Sequence, residues 1–345
     1  MRQSKCLYVA NAVFISPQGK VAPCGAIQNR KQLEVFESVE QLQTDPVFKD
    51  TKLYNALGRI LDSKWCSHCK ELEDMGVKSM RQRAGSGNSH DGFLSIAFSN
   101  TCNLDCVMCS SEYSSKWYQT WKHNAEIKEY FGGDTDADRQ YKPHGLSYEQ
   151  IDEVLKIVPR LKGLIIKGGE PLVDPKVLYF LERCVDINPD INLNMVSNLT
   201  ILNMKLLAKF RKLNLQVSID GIHKTYEWIR GTEFSSVDYN IDQFHAAGGR
   251  IQIQPTMSAY NMENMEQLYQ YYRSKGIFVQ KTPIIATNDY LKATHLGRER
   301  FVQAADSFSF PFSMKYDEPT EAEKESFRRY TKVMNKHRGF EWEQI

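Results

Sequence analysis

The sequence predicts an α/β fold: a partial (β/α)6 barrel with parallel strands, plus a small N-terminal cysteine-rich domain containing a β-hairpin. Three observations carry this prediction. Apolar strand-like segments alternate with amphipathic helical segments from residue 93 onward, and the alternation repeats six times. Four of the eight cysteines lie before residue 70. Repeated strand–helix units build a parallel sheet, whereas clustered cysteines in a large chain are typical of metal sites.

The first 80 residues are predicted to form a hairpin and a cysteine-bearing unit. Residues 8–15 favour a strand, residues 17–20 a turn, and residues 21–23 the start of a returning strand. Residues 81–92 are rich in Gly, Ser and Asn, which indicates a linker. The predicted domains are residues 1–80, the linker 81–92, a barrel over residues 93–285, and a helical, charged C-terminal extension over residues 286–345.

Six apolar segments are predicted to be the barrel strands. They are residues 93–98, 163–167, 191–196, 215–219, 250–254 and 277–280. A capping box beginning at Ser147 and a proline after Asp174 mark the starts of two connecting helices. In such folds the active-site groups collect beyond the C-terminal ends of the strands.

The overall composition narrows the class of protein. Hydrophobic residues make up 41% of the chain and charged residues 25%, which is ordinary for a soluble globular protein. The formal charge of +2 argues against a nucleic-acid partner, and no apolar run approaches the roughly 20 residues that a membrane-spanning helix needs. No secretory signal is evident near the start, so we expect a cytoplasmic protein without a membrane association.

A loop of three cysteines directly follows the first predicted barrel strand. It reads Cys102-Asn-Leu-Asp-Cys106-Val-Met-Cys109. Three thiolates can hold three corners of a four-iron four-sulfur (4Fe-4S) cluster, which leaves one iron open to a small-molecule ligand. A zinc site is the alternative, but it would need Asp105 or a distant group as its fourth ligand.

This loop resembles that of the radical S-adenosylmethionine superfamily, and the resemblance extends over residues 93–285. It implies that the amine and carboxylate of S-adenosylmethionine bind the open iron. One electron then releases a 5′-deoxyadenosyl radical, which abstracts hydrogen from a substrate. The resemblance also implies an electron donor such as flavodoxin or ferredoxin.

Several later positions resemble cofactor motifs of that superfamily. Gly168-Gly169-Glu170-Pro171, after the second barrel strand, is similar to the motif that holds the methionyl amine. Ser197 and Asn198 after the third strand, with Ser218 and Asp220 after the fourth, match ribose-binding positions, although ordinary helix capping is the alternative.

Three further residues are candidate cofactor contacts. Arg230, in Ile-Arg-Gly, is expected by resemblance to contact the methionyl carboxylate, with a surface salt bridge as the alternative. Met108 and Met257 are expected to line the adenine pocket, unless they simply belong to the core.

The remaining cysteines divide into a set of four and one buried residue. Cys6, Cys24, Cys66 and Cys69 resemble an auxiliary-cluster domain of the twitch or SPASM type, which implies a second 4Fe-4S cluster, with zinc as the alternative. In most relatives this domain follows the barrel, whereas here it precedes it. Cys184 shares an apolar helical face and is predicted to be core.

The substrate is not encoded in any motif. Because the N-terminal cysteine pattern and the Arg230 tripeptide are commonest among peptide-modifying relatives, a peptide or protein substrate is the first hypothesis. Oxidation of a small alcohol or aminosugar is the second. A non-catalytic electron-transfer or zinc-binding protein is the third, although such a protein needs no Gly168–Pro171 motif.

Overall fold

The structure, a computed structural model, describes residues 12–22, 24–25, 67–79, 82, 92–133, 142–281, 283–310 and 312–342. The chain divides into two compact units. Unit 1 comprises Met1–Thr101, Pro143–Val196 and Asn203–Asn214. Unit 2 comprises Cys102–Lys142, Ser197–Leu202 and Leu215–Ile345.

The described part of the chain contains ten strands. They are β1 (Ala12–Ile15), β2 (Val21–Ala22), β3 (Phe93–Ala97), β4 (Gly163–Lys167), β5 (Asn192–Ser197), β6 (Leu213–Val217), β7 (Arg250–Ile253), β8 (Thr256–Met257), β9 (Phe278–Val279) and β10 (Ile284–Ile285). Eight of them form one sheet in the order β2-β1-β3-β4-β5-β6-β7-β9, and β8 pairs with β10. Strand β6 begins in unit 1 and continues into unit 2.

Eleven α-helices accompany these strands within the described residues. They are α1 (Ser67–Asp74), α2 (Ser115–His123), α3 (Ala125–Tyr130), α4 (Tyr148–Ile157), α5 (Pro175–Ile187), α6 (Met204–Leu207), α7 (His223–Arg230), α8 (Phe234–Ala246), α9 (Met265–Ser274), α10 (Arg298–Asp306) and α11 (Glu321–Arg338). The capping box that the sequence predicts at Ser147 is present: its side chain accepts from the Gln150 amide at the start of α4. Asp174 caps α5 by accepting from the Lys176 amide.

The sheet of unit 1 is mainly parallel. Strand β3 pairs in parallel with β4, and β4 with β5, so that Ile96, Ile166 and Met195 lie side by side. All three side chains are fully buried. Alternating apolar residues on each strand therefore form the core beneath α4 and α5, which contribute Val154 and Phe180.

The predicted N-terminal hairpin is present, and it extends the sheet. Strands β1 and β2 pair antiparallel, with Phe14 opposite Ala22. Gly19, at φ +70°, makes the turn because this left-handed conformation costs glycine little. Strand β1 also pairs in parallel with β3, placing Ile15 beside Ile96. The sequence did not indicate this second pairing.

Unit 2 packs around a large aromatic core. Buried side chains of this core include Trp117, Trp121, Trp228, Tyr260 and Tyr330. Helix α11 contributes Tyr330 and Met334, so the C-terminal segment is part of this core. Trp117 and Trp121, which follow the cysteine loop in the chain, thus pack in the interior.

The observed elements agree with most of the fold that the sequence predicts. The α/β class with a mainly parallel sheet is confirmed. Each of the six predicted barrel strands begins within two residues of the start of an observed strand. The domain boundaries stay predictions, and most of the proposed linker lies outside the described residues. Within the described residues, no helix is both long enough and apolar enough to cross a bilayer.

Candidate functional site

The three-cysteine loop opens unit 2 and is held by local hydrogen bonds. Cys106 is buried, whereas Cys102 and Cys109 are half-buried. The Cys109 amide donates to the Cys106 carbonyl at 2.9 Å, which closes a turn between the two. The Ser115 hydroxyl accepts from the Cys102 amide and donates to its carbonyl, both at 3.2 Å. These hydrogen bonds therefore fix the shape of the loop.

The thiols lie close enough to influence one another's ionisation. Burial raises the pKa of Cys109, and the nearby Cys106 and Cys102 sulfurs raise it further. Burial likewise raises the pKa of Cys106, and the positive charge of Arg230 partly offsets this by lowering it. Thiols that resist ionisation by themselves become thiolates when they bind metal, because the cation stabilises the anion.

The donor set suits a cluster. Among the residues that the structure describes, no group of three or more His, Cys, Asp or Glu side chains is placed to hold a single metal ion. In an iron–sulfur cluster each thiolate binds a different iron atom, so the sulfurs need not converge on one point. Three cysteines on one loop, with a guanidinium beside the middle one, therefore fit a 4Fe-4S cluster.

Arg230, at the end of α7, contacts the loop directly. Its Nη1 lies 3.5 Å from the Cys106 Sγ, and its Nε pairs with the Asp220 carboxylate. Burial lowers the pKa of Arg230, but the Asp220 charge outweighs this and raises it. Asp220 also accepts from the Thr256 amide at 2.6 Å. The salt bridge of the alternative interpretation is thus present, but it is buried and not at the surface. The contact of Arg230 with the methionyl carboxylate stays a prediction.

Asp105, inside the cysteine loop, is engaged by the C-terminal helix. Its Oδ1 accepts from Arg338 Nη1 at 2.8 Å. Its Oδ2 accepts from the Thr120 hydroxyl at 2.6 Å and lies 2.8 Å from His337 Nε2. Burial would raise the pKa of Asp105, yet the hydrogen bond from His337 and the charge of Arg338 hold it well below its usual range. Sequence reasoning missed these partners, because nothing in residues 286–345 marked them.

The Gly168–Pro171 segment belongs to unit 1. Gly168 has φ +121°, which favours glycine. A Cβ on Gly169 would lie 2.0 Å from the Thr101 carbonyl oxygen, so only glycine fits there. The Glu170 amide donates to the same oxygen at 2.7 Å, and Glu170 Oε1 accepts from the Leu172 amide at 3.0 Å. Thr101 is the residue that directly precedes Cys102 in the chain.

The predicted ribose positions lie in unit 2. The Ser218 amide donates to the Ser197 carbonyl at 2.9 Å, which brings the ends of two strands together. Asn198 Nδ2 donates to the side chain of Asn103, in the cysteine loop, at 3.0 Å. Asn198 also caps its own turn by accepting from the Thr200 amide. The structure therefore places Ser197, Asn198 and Ser218 in one neighbourhood.

The two methionines differ in environment. Met257 is fully buried, whereas Met108 is partly buried and packs against the aromatic core. Of the predicted auxiliary set, Cys24 is half-buried and Cys69 is buried on α1. Cys6 and Cys66 lie outside the described residues. Cys184 is fully buried in α5, as core packing predicted.

The comparison with protein families shows to which superfamily the chain belongs. The radical SAM superfamily profile matches residues 96–273, which include the cysteine loop and the cofactor-like motifs. The chain belongs to the radical SAM superfamily. No curated protein matches it significantly.

Solved structures match parts of this radical SAM protein at low sequence identity. anSMEcpe with bound AdoMet is 20% identical over 56% of this chain and 52% of that chain, with a TM-score of 0.43. SuiB of Streptococcus suis bound to the precursor peptide SuiA is 15% identical over 70% of this chain and 58% of that chain, with a TM-score of 0.42. The radical S-adenosylmethionine methyltransferase TsrM of Kitasatospora setae is 12% identical over 52% of this chain and 34% of that chain, with a TM-score of 0.36. The chain thus matches only about half the length of anSMEcpe, at 52%.

Proposed function

We propose that this radical SAM protein is an enzyme that reductively cleaves S-adenosylmethionine and abstracts hydrogen from a substrate. The observation that carries the proposal is the loop with three cysteines within eight residues and the Arg230 guanidinium 3.5 Å from the Cys106 sulfur. When bound there, a 4Fe-4S cluster supplies the electron that breaks the sulfonium bond of S-adenosylmethionine to give a 5′-deoxyadenosyl radical.

The proposed roles of the chain's own residues follow from their chemistry. Cys102, Cys106 and Cys109 hold three irons as thiolates. Gly168 and Gly169 leave backbone carbonyls accessible to the methionyl amine, and the bond from the Glu170 amide to Thr101 fixes this segment.

The remaining cofactor contacts are also proposals. Ser197, Asn198 and Ser218 offer hydroxyl and amide groups to the ribose. Met108 and Met257 offer apolar surface to adenine. Asp220 forms an ion pair with Arg230. We therefore propose that the main role of Asp220 is to orient the Arg230 guanidinium toward the methionyl carboxylate and Cys106.

A second cluster in the N-terminal region is part of the proposal. It would be held by Cys6, Cys24, Cys66 and Cys69, and the described pair Cys24 and Cys69 both belong to unit 1. A cluster with four protein ligands has no open iron. It therefore suits electron transfer, such as accepting an electron from a substrate radical.

The substrate that we propose is a peptide or protein, and the electron donor a flavodoxin or ferredoxin. The support is the N-terminal cysteine pattern, which resembles that of peptide-modifying relatives. The test uses peptides encoded beside the gene: a loss of two hydrogens in mass that depends on both cysteine sets is expected. Transfer of deuterium from a small sugar into 5′-deoxyadenosine, with every peptide unchanged, would contradict it.

The cofactor reaction is tested on anaerobically reconstituted protein. We expect about eight irons per chain, about four after Cys102, Cys106 and Cys109 are replaced by Ala, and 5′-deoxyadenosine plus methionine on reduction. The Cys184→Ala variant is the matched control and should keep all the iron. Zinc in place of iron at both sites, or S-adenosylhomocysteine as the main product, would overturn the proposal.

A further inference from the structure

The C-terminal helix reaches the cysteine loop from the far end of the sequence. Asp105 and Arg338 are 233 positions apart, yet they form a buried ion pair in which both side chains are less than 10% exposed. Asp105 directly precedes Cys106. An ion pair with this little exposure to water is strongly oriented, since each charge depends on the other for stabilisation.

Arg338 does more than neutralise Asp105. Its Nη2 donates to the Asp105 backbone carbonyl at 2.7 Å, and its Nε donates to the Trp228 carbonyl at 2.8 Å. Trp228 lies in α7, two residues before Arg230. One guanidinium therefore ties the cysteine loop to the helix that carries the arginine beside Cys106. Its planar fork serves three acceptors in fixed directions, which a lysine ammonium cannot do.

Tyr330 holds the other side of Cys106. Its hydroxyl donates to the Val107 carbonyl at 2.7 Å, while the Val107 amide donates to the Ile229 carbonyl at 2.9 Å. Tyr330 lies about two helical turns before Arg338 on α11. Asp105 and Val107, on either side of Cys106, are thus both bonded to α11. Val107 is also bonded to the last turn of α7.

Helix α11 is itself firmly placed. A capping box between Thr320 and Glu323 begins it, and the left-handed Gly339 ends it directly after Arg338. Tyr330 and Met334 are buried in the aromatic core of unit 2. A support that is rigid and packed can fix the geometry of ligands, whereas a loop alone leaves them free to move.

We infer that α11 is a structural support, which we call the brace, that holds the iron–sulfur loop in position. Its positioning residues are Arg338, His337 and Tyr330. The inference rests on the cluster that the proposed function assigns to Cys102, Cys106 and Cys109. The brace keeps Cys106 and its neighbours in the orientation that binds iron, and it keeps Arg230 beside the Cys106 sulfur. It gives the C-terminal extension a function in the stability and redox properties of the cluster.

The test compares full-length variants after anaerobic reconstitution. Arg338→Ala removes three hydrogen bonds, Tyr330→Phe removes one while keeping the ring, and Lys332→Ala, an exposed position on the same helix, is the matched control. The readouts are the rate of iron loss to a chelator, the electron paramagnetic resonance spectrum of the reduced protein, and far-ultraviolet circular dichroism. Cys106→Ala identifies the iron that the loop holds.

We expect Arg338→Ala to lose loop iron on the order of 10- to 100-fold faster than wild type, as loss of groups that orient metal ligands does elsewhere. Tyr330→Phe should lose it faster than Lys332→Ala and show an altered spectrum with unchanged circular dichroism. If Arg338→Ala does not fold, Tyr330→Phe decides.

The brace is overturned if wild type binds loop iron and Tyr330→Phe matches Lys332→Ala in iron loss and spectrum. That result leaves the proposed function standing. A wild-type protein that binds no iron overturns both.

Discussion

Arg230 Nη1 lies 3.5 Å from the sulfur of Cys106 while Arg230 Nε pairs with the buried carboxylate of Asp220. A positive charge and a donor beside a cluster thiolate favour the reduced state, because reduction adds negative charge. The Asp220 pairing fixes the guanidinium in this position. The relationship links a residue that we expect to contact the cofactor with the redox properties of the cluster that we propose for the loop.

Replacing Arg230 by Gln should make the loop cluster harder to reduce. We expect its midpoint potential to fall on the order of 60 mV, the one-electron equivalent of about 1.4 kcal/mol, which is the size of one hydrogen bond to a charged group. Redox titration followed by electron paramagnetic resonance measures this. Arg211→Gln, which breaks an exposed ion pair with Asp190, is the control and should leave the potential unchanged. Equal potentials in both variants would contradict the role of Arg230.

Replacing Gly169 by Ala should weaken cofactor binding without loss of iron. The new Cβ would overlap the Thr101 carbonyl, so the segment must move and the bond from the Glu170 amide to Thr101 must lengthen. Gly248→Ala is the control, because its surroundings are open and it costs only the roughly 1–2 kcal/mol of a left-handed residue. Equilibrium dialysis with S-adenosylmethionine and an iron assay separate the effects. Equal affinity in both variants would argue against a cofactor role for the motif.

Replacing Cys184 by Ser should affect stability but not metal content. Burial raises the pKa of Cys184 to about 12, and the side chain is fully enclosed in α5. A buried hydroxyl that lacks a partner costs roughly 1–3 kcal/mol, so the free energy of unfolding should fall by about that amount. Urea unfolding and iron analysis measure the two quantities. Loss of iron in this variant would show that Cys184 belongs to a ligand set.

The pH dependence of stability should include a contribution from Glu323. Hydrogen bonds from Lys292 and the Thr320 amide lower the pKa of Glu323 to about 2. Because the folded-state pKa lies below the unfolded value, this stabilisation is present above the unfolded pKa of about 4.3 and is lost as the pH falls toward 2. Glu323→Gln should therefore be less stable than wild type by about 1 kcal/mol at neutral pH, since both partners keep some contact with water. The difference should shrink as the pH falls from about 4.3 to 2 and vanish below about pH 2. Urea unfolding at several pH values checks this, and a constant difference would exclude the ion pair as its source.

Much of the barrel could be predicted from the sequence because its signals are local. Strand β4 coincides with its predicted range, and the caps of α4 and α5 are where Ser147 and Asp174 indicate. The three cysteines fall within eight consecutive residues, so their proximity follows from chain connectivity. The auxiliary set is different: its four cysteines span residues 6–69, and whether they meet stays a prediction.

The sequence by itself determined the α/β class, the parallel strands and the donor set of the cysteine loop, since each depends on residues close together in the chain. Only the tertiary structure decided that β1 joins β3, that Asp220 pairs with Arg230, and that Arg338 reaches Asp105. The reason is physical: a charged side chain 233 positions away leaves no periodic or spacing signal. Its partner is fixed by how helices pack around a shared core, and in unit 2 that core places the end of α11 against the loop.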